Sequence, residues 1–318
     1  MQHVFTFTLA FVIVYAMVPV MRSIALRTGF VDIPNKRKIH SDPIPLLGGA
    51  AMFAGFLVTT MLMGDIDSEY IGIALGSFVI FAVGLIDDYA KTRGKDFPAL
   101  PKFIGQLLAA SILIYFDVRI KGVTIPFGGG EYLRFDDWYW LSVIATILWV
   151  VGITNMFNYL DGVDGLAGGI AAISSTSLLF ISLLKGQAVS AMFAVTLIAI
   201  TLAFLRHNFH PAQIFMGDSG SNFLGFTLAA IAVQGAFKAY TLVSLAVPVL
   251  ALGVPIFDFF YVTLKRIKEK RPIYKPDKEH THHRLMKSGL SQIQTVAFLY
   301  LLGICFSLAS IIVVLTDK

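Results

Sequence analysis

The chain has 318 residues, of which 56% are hydrophobic and only 14% are charged. Soluble domains carry about a quarter charged residues, so this composition excludes an ordinary soluble protein. The single cysteine, Cys305, excludes an intramolecular disulfide. The net charge of +5 is explained by basic loops between apolar stretches, so no nucleic-acid partner is expected.

Uncharged stretches of roughly bilayer length recur along the whole chain, and they predict an all-α polytopic membrane protein with about ten transmembrane helices. No second domain or internal repeat is visible, so residues 1–318 are predicted to form one domain. The first stretch lacks a basic n-region and a cleavage site, which favours a permanent helix. The predicted spans are Val4–Met21, Leu46–Met63, Tyr70–Ile86, Phe103–Phe116, Trp138–Phe157, Leu166–Leu184, Ala188–Leu205, Gly220–Phe237, Leu242–Leu264 and Val296–Leu315.

The loops between these spans differ in charge. Of the 25 Lys and Arg residues, 19 follow odd-numbered spans and six lie on the opposite side. The positive-inside rule therefore places the basic loops in the cytoplasm and both termini outside. On the outer side, alternation over 118–125, glycines at 128–130 and the segment 131–135 predict a small β-hairpin.

Adjacent carboxylates, Asp87 and Asp88, close the third predicted span. Their mutual repulsion is relieved by Mg²⁺ or by a basic partner. The alternative is a solvated helix end with Lys91, Arg93 and Lys95 as counter-ions.

The segment Asn155–Gly169 combines amides, acids and glycines. Asn155 and Asn158, like Asp161 and Asp164, are spaced to share one face of a helix. Close packing of membrane helices would explain the glycines, but not the two acids and two amides. The polar pairs therefore indicate a binding site.

A third cluster, Phe215–Asn222, is predicted at the start of the eighth span. Hydroxyl groups and backbone N–H groups at a helix N-terminus suit a phosphate, and Asp218 suits Mg²⁺. The alternative for Asp218 is a helix N-cap.

A fourth cluster, His280–Arg284, lies in the most basic loop. A zinc site is one interpretation, but no cysteine accompanies the histidines, and imidazole and guanidinium donors fit a phosphate better. The surrounding lysines are typical of a charged surface facing lipid headgroups. Acids for Mg²⁺ and cations for phosphates on one membrane face together predict phosphoryl transfer to a lipid.

These motifs, with Pro34–His40, Pro43–Pro45 and Gly48-Gly49, follow the order found in the polyprenyl-phosphate N-acetylhexosamine-1-phosphate transferases. The chain resembles this glycosyltransferase 4 family over nearly its whole length. Its His-Thr-His-His-Arg segment is similar to the WecA/TagO pattern, whereas the related MraY proteins carry three consecutive histidines. The resemblance implies transfer of GlcNAc-1-phosphate from UDP-GlcNAc to undecaprenyl phosphate in a bacterial cytoplasmic membrane, the first step of an envelope polysaccharide or teichoic acid.

The resemblance also implies residue roles and a Mg²⁺ cofactor, with Mn²⁺ as a substitute. Asp218 and Asp87 are the implied metal ligands, and the role of Asp87 and Asp88 is either deprotonation of the lipid phosphate or electrostatic and metal positioning. Direct attack by the lipid phosphate and a double displacement, in which an aspartate attacks first, both stay open at this point. The implied catalytic residues are Asp87, Asp88, Asp218, His282 and His283, and the implied substrate-binding residues are Lys102, Asn155, Asn158, Asp161, Asp164, Asn208, Phe215 and Arg284.

Three alternatives remain at this point. The donor could be another UDP-N-acetyl sugar, including UDP-MurNAc-pentapeptide. An ion-coupled transporter would place its acids near mid-membrane within an internal repeat, and a lipid-binding scaffold would need no paired aspartates. The oligomeric state is also open, with a homodimer as one arrangement.

Overall fold

The computed structural model describes residues 1–33, 42–95, 97–124, 132–135, 138–235, 246–270 and 280–316. Within these ranges the chain forms twelve helices and four short strands. The helices are α1 (Gln2–Thr28), α2 (Gly48–Met63), α3 (Ser68–Thr92), α4 (Ala99–Tyr115), α5 (Tyr139–Leu160), α6 (Leu166–Leu184), α7 (Ala188–Asn208), α8 (Gly217–Gly235), α9 (Ala246–Ala251), α10 (Gly253–Lys268), α11 (Thr281–Lys287) and α12 (Gln292–Thr316). The strands are β1 (Val31–Asp32), β2 (Ile44–Pro45), β3 (Gly122–Thr124) and β4 (Tyr132–Arg134).

Six of the described helices, namely α1, α3, α5, α6, α7 and α12, are long and apolar enough to cross a membrane. Helices α2 and α4 are also apolar but shorter. The chain is therefore a helical, multi-pass membrane protein, as the composition predicts. The full number of ten spans stays a prediction, since it requires α2, α4, α8 and the α9–α10 pair to cross as well.

The ninth predicted span is interrupted in the structure. Helix α9 ends at Ala251 and α10 begins at Gly253, with Leu252 between them at φ −106° and ψ 26°. Pro255 lies in the first turn of α10, where its missing N–H group is tolerated. The proline thus favours a new helix start over a continuous helix at this point.

Helix α8 forms the centre of the bundle, and each of its residues is buried. It packs against α2, α3, α5 and α6. Close approach depends on glycines in the neighbouring helices: a Cβ atom at Gly84 of α3 would lie 2.7 Å from the backbone nitrogen of Ser219. The N-terminus of α8, which carries Asp218, is therefore held against α3, which carries Asp87 and Asp88.

Both pairs of strands are antiparallel, β1 with β2 and β3 with β4. Strands β3 and β4 lie within the predicted hairpin segments, whereas its turn at 126–130 lies outside the described residues. The hairpin and its position on the outer surface stay predictions. The Arg37–His40 stretch of the first motif also lies outside the described residues.

Candidate active site

A cavity of about 810 Å³ opens beside the N-terminus of α8. Its walls come from the end of α1, the ends of α3 and α5, the loop before α8, the β2 segment and α11. Seven of the predicted site residues line it: Asp88, Asp161, Asp164, Asn208, Phe215, Asp218 and His283. The other six, which are Asp87, Lys102, Asn155, Asn158, His282 and Arg284, lie outside its lining.

Two carboxylates and two ammonium groups meet at the edge of this cavity. Lys91 Nζ lies 2.5 Å from Asp218 Oδ1 and 3.7 Å from Asp87 Oδ2. Lys102 Nζ lies 2.7 Å from Asp218 Oδ2 and also forms an ion pair with Asp87 Oδ2. Each lysine thus bridges the same two aspartates, which neutralises carboxylates that would otherwise repel each other.

Asp88 faces a different partner from its neighbour Asp87. Its Oδ1 accepts a hydrogen bond from the backbone N–H of Asp218 at 2.7 Å, and its Oδ2 accepts one from Ser219 at 2.9 Å. The residue is fully buried. A carboxylate at this place satisfies the first N–H groups of α8 and complements its positive end. Asp88 therefore fixes the backbone that carries Asp218.

The turn after α5 carries the acid pair of the second motif. Asp161 ends α5 and lines the cavity, and burial raises its pKa to about 8, with a further contribution from the nearby Asp218 carboxylate. Asp164 accepts hydrogen bonds from His210 Nδ1 at 2.9 Å and from the backbone N–H of Ala212 at 3.1 Å. Asp161 therefore presents its carboxyl group at the cavity, whereas Asp164 ties the turn to the loop before α8.

The three predicted asparagines are hydrogen-bonded within the protein. Asn208 accepts a hydrogen bond from Gly165 N–H at 3.0 Å and donates one to the Ile214 carbonyl at 2.9 Å. Asn158 Nδ2 donates to Ser221 Oγ at 3.0 Å. Asn155 and Gln106 pair through both amide groups, at 2.8 and 3.2 Å. Asn208 and Asn158 thus join the second motif to the segments around the start of α8, whereas Asn155 joins it to α4. Of the three, only Asn208 reaches the cavity wall.

The histidine motif forms the short helix α11. His282 is 1% exposed, and neither of its ring nitrogens has a hydrogen-bond partner among the described residues. A Cβ atom at Gly162 would lie 2.7 Å from His282 Nε2, so the imidazole lies directly against the Asp161–Asp164 turn. Burial lowers the pKa of His282 to about 3, with help from the adjacent His283. His282 is thus neutral at pH 7.

The other two predicted site residues of the motif, His283 and Arg284, point to different places. His283 lines the cavity, whereas the guanidinium of Arg284 lies over the Tyr261 ring of α10, 4.2 Å from its centroid. The cation–π contact holds α11 on α10. Only His283 of the motif is thus brought to the cavity wall.

Lys91, His210 and Arg22 also reach the site but were not predicted as site residues. Lys91 is one helical turn beyond Asp87, and the sequence suggests it only as a counter-ion. Its i,i+4 spacing nevertheless indicates a direct ion pair with Asp87. His210 belongs to the polar segment before α8. Arg22, which lines the cavity and donates to the Gln213 carbonyl at 3.3 Å, carried no local signal.

Among the described residues, no group of three or more His, Cys, Asp and Glu side chains is arranged to hold a metal ion. The donor chemistry nevertheless fits Mg²⁺, which proteins bind through one or two carboxylates completed by water and substrate phosphates. Asp87 and Asp218 both direct oxygens at the same two ammonium groups. The two carboxylates thus already bind cationic groups, which here are the ammonium groups of Lys91 and Lys102.

Residues 70–236 match the model of glycosyl transferase family 4. The chain is 36% identical over 310 residues to a probable undecaprenyl-phosphate N-acetylglucosaminyl 1-phosphate transferase of Bacillus subtilis, covering 97% of this chain and 84% of the relative. It is 35% identical over 322 residues to the decaprenyl-phosphate N-acetylglucosaminephosphotransferase of Mycobacterium tuberculosis, covering 92% and 78%. A transferase of Escherichia coli K12 with the name undecaprenyl-phosphate alpha-N-acetylglucosaminyl 1-phosphate transferase is 27% identical over 285 residues, covering 88% and 75%. These similarities confirm the resemblance carried by the motifs, and the chain belongs to glycosyl transferase family 4.

Proposed function

We propose that this protein transfers GlcNAc-1-phosphate from UDP-GlcNAc to undecaprenyl phosphate, giving undecaprenyl-diphospho-GlcNAc and UMP. The observation that carries the proposal is the meeting of Asp87, Asp218, Lys91 and Lys102 beside a cavity of about 810 Å³. This volume suits a ligand of nucleotide-sugar size. The relatives' names, which specify polyprenyl phosphates and N-acetylglucosaminyl 1-phosphate transfer, support the same reaction.

In this reaction an oxygen of the lipid phosphate attacks the β-phosphorus of UDP-GlcNAc. A new P–O bond forms, and the bond from the β-phosphorus to the bridging oxygen breaks, so that UMP leaves with that oxygen. A phosphate monoester has its second pKa near 6 and is largely dianionic at neutral pH. The site therefore has little need for a strong base, and its main tasks are to bring anions together and to neutralise charge.

Lys91 and Lys102 are suited to neutralising the charge of the phosphates. The side chains of Lys91 and Lys102 are 37% and 28% exposed, and both ammonium groups are held by Asp87 and Asp218. Incoming phosphates can take over these ammonium groups without a large movement of the lysines. Phosphate binding would then free the two carboxylates to bind a metal ion.

Mg²⁺ is the cation that we assign to those carboxylates, with Asp218 and Asp87 as ligands and Mn²⁺ as a substitute. When bound, it would neutralise charge on the phosphate oxygens. Asp88 holds the Asp218 backbone in place through its two hydrogen bonds. We interpret Asp88 as a positioning residue and not as a base.

We assign the nucleotide to the cavity between the Asp161–Asp164 turn and the Asn208–Phe215 segment, both of which line it. Burial raises the pKa of Asp161 to about 8, which favours the neutral carboxyl group near pH 7 in the free protein, and that form can donate a hydrogen bond. His283 adds a donor from the α11 side. Asp164 and Asn208 shape the walls through their hydrogen bonds to Ala212 and Gly165.

We further propose ten membrane crossings in a bacterial cytoplasmic membrane, with both termini outside and the active site facing the cytoplasm. The distribution of 19 of the 25 Lys and Arg residues to one side supports this orientation. The cytoplasmic ends of α3 and α5 and the start of α8 then all face the compartment that supplies nucleotide sugars.

The test is turnover by the purified full chain in detergent with UDP-GlcNAc, undecaprenyl phosphate and a titrated series of Mg²⁺. We expect Mg²⁺-dependent release of UMP, and Asp218→Asn should lower kcat by at least about 100-fold, since it removes a metal ligand. The control is Asp117→Asn, whose carboxylate pairs with Arg119 and Lys121 away from the cavity and whose loss should leave kcat unchanged. Absence of turnover with UDP-GlcNAc would refute UDP-GlcNAc as the donor. If UMP were released from UDP-MurNAc-pentapeptide alone, that nucleotide sugar would be the donor. Normal activity of Asp218→Asn would refute the metal role.

A further inference from the structure

A buried carboxylate lies outside the cavity, on the helix that faces the histidine motif. Asp258 is in α10, within the apolar sequence Gly253–Val262, and is only 3% exposed. Acids in such apolar helices are costly unless they are paired, and they are candidates for a functional role. The site described above does not use Asp258.

Both carboxylate oxygens of Asp258 are bonded to the start of α11. Oδ2 lies 2.7 Å from His280 Nδ1, and Oδ1 accepts a hydrogen bond from the backbone N–H of Thr281 at 2.6 Å. Because an ionised carboxylate can only accept, Nδ1 of His280 carries the proton in this pair. Asp258 therefore fixes both the first residue of α11 and the orientation of the His280 ring.

His280 passes this constraint on to its neighbours. Its ring stacks on Tyr159 at the end of α5, with centroids 5.3 Å apart, and lies parallel to the His282 ring at 6.0 Å. His282 in turn contacts Gly162 and the His283 ring, the latter at 4.3 Å. A continuous row of contacts thus leads from Asp258 to the cavity wall.

These contacts bear on what holds α11 and His282 in place. Neither ring nitrogen of His282 has a hydrogen-bond partner among the described residues, so no side-chain hydrogen bond fixes the imidazole. Helix α11 packs on α12 and through Leu285 and Met286 on the core, and its described polar attachments to α10 are Asp258 with His280 and Thr281, and Tyr261 with Arg284. Of these, only the first is a buried, charge-assisted contact.

We propose that Asp258, acting through His280, is a positioning residue that sets α11 and with it His282 and His283 against the nucleotide side of the active site. The inference rests on the proposed function, because it assigns the histidines to the donor and not to the lipid. It predicts that loss of Asp258 impairs use of the nucleotide sugar specifically. A residue that only stabilised the fold would lower the amount of folded protein and leave both KM values of the folded fraction unchanged.

The experiment compares Asp258→Asn, His280→Leu and the double variant in the full chain, with activity expressed per folded molecule. We expect each single variant to lower kcat/KM for UDP-GlcNAc by about 10- to 100-fold, the size of effect that misplacement of supporting groups produces. The KM for undecaprenyl phosphate should be unchanged, and the double variant should be no worse than the more impaired single one. His280→Asn, which keeps a donor close to the Nδ1 position, should recover most of the activity.

The matched control is Asp67→Asn. Asp67 also caps a helix, accepting a hydrogen bond from Tyr70 N–H at 2.7 Å, but at the opposite end of α3 from Asp87. The Asp67→Asn substitution should leave both KM values and kcat unchanged. Wild-type kinetics in Asp258→Asn, or equal effects on both substrates, would overturn the inference.

A second measurement separates this inference from the proposed function. Hydrogen exchange of the α11 amides, residues 281–287, should accelerate in Asp258→Asn and stay unchanged in Asp67→Asn. If the wild type turned over no UDP-GlcNAc while α11 exchange still responded, the proposed function would fail and the attachment of α11 by Asp258 would stand. Unchanged exchange in Asp258→Asn would refute the attachment itself.

Discussion

The adjacent aspartates Asp87 and Asp88 should respond differently to the same substitution. Asp88→Asn removes one negative charge and one of the two acceptors that hold the N–H groups of Asp218 and Ser219. Asp87→Asn removes the same charge, but its carboxylate lies among the side chains of Lys91, Lys102 and Asp218. The pair therefore forms a matched comparison between a helix cap and a charge cluster.

The expected magnitude follows from the hydrogen bonds. A hydrogen bond to a charged group contributes about 1.5–3 kcal/mol, and Asp88 makes two of them from a fully buried position. Because the amide retains one acceptor oxygen, Asp88→Asn should lower the free energy of unfolding by about 1.5–3 kcal/mol, the value of one such bond. Asp87→Asn should be close to neutral in stability, since it loses ion pairs and also relieves repulsion by Asp218.

Thermal unfolding of both variants in the same detergent tests this difference. We expect Asp88→Asn to melt below Asp87→Asn by on the order of 5 °C, whereas turnover should fall in both. Equal melting temperatures, or a lower one for Asp87→Asn, would refute the capping role of Asp88. An Asp88→Asn variant with normal turnover would show that the Asp218 backbone does not need this cap.

Two further predictions concern packing and pH. Gly49→Val should lower the yield of folded protein and the Tm, because its Cβ atom would lie 2.6 Å from the Met216 carbonyl oxygen and 2.7 Å from Gly220 Cα. The control is Gly152→Ala, whose Cβ atom would meet only a side-chain carbon at 3.8 Å. Equal Tm values for the two variants would contradict the argument. Burial lowers the pKa of His282 from 6.5 to about 3, so the unfolded chain binds a proton below pH 6.5 that the folded chain does not. Its stability contribution is therefore complete above pH 6.5 and declines from there towards pH 3. The Tm of the wild type should fall over this range more steeply than that of His282→Asn, and parallel curves would exclude the histidine as the cause.

The helical membrane architecture was predictable because long apolar stretches leave a strong pattern. The bounds of the helices were less so: α3 continues to Thr92 and thus includes Asp87, Asp88 and Lys91 in a regular helix, whereas the predicted span ended at Ile86. Polar residues are excluded from a span by hydropathy, but a helix can continue beyond the apolar segment. Because the helix continues beyond the apolar segment, the i,i+4 ion pair between Asp87 and Lys91 could not be read from the predicted span.

The site was predictable as a set of motifs but not as a set of contacts. Sequence order alone could not show that Lys102 bridges Asp87 and Asp218, which are 131 residues apart along the chain. Nor could it show that Asp258, which lies within the ninth predicted span, bonds His280. Both contacts depend on how helices that are distant in the chain pack around α8, and no local pattern records that packing.

The hydrogen bonds divide the polar residues of the motifs into two groups with different expected kinetics. Asp88, Asp164 and Asn208 make hydrogen bonds to backbone groups of other segments. Buried polar groups lose these bonds only at considerable cost, so these side chains hold the cavity walls together. Asp218 and Asp161, by contrast, direct their carboxyl groups to the ammonium cluster and to the cavity. Substitutions in the first group should therefore change stability and activity together, whereas substitutions in the second should lower kcat in a protein that remains folded.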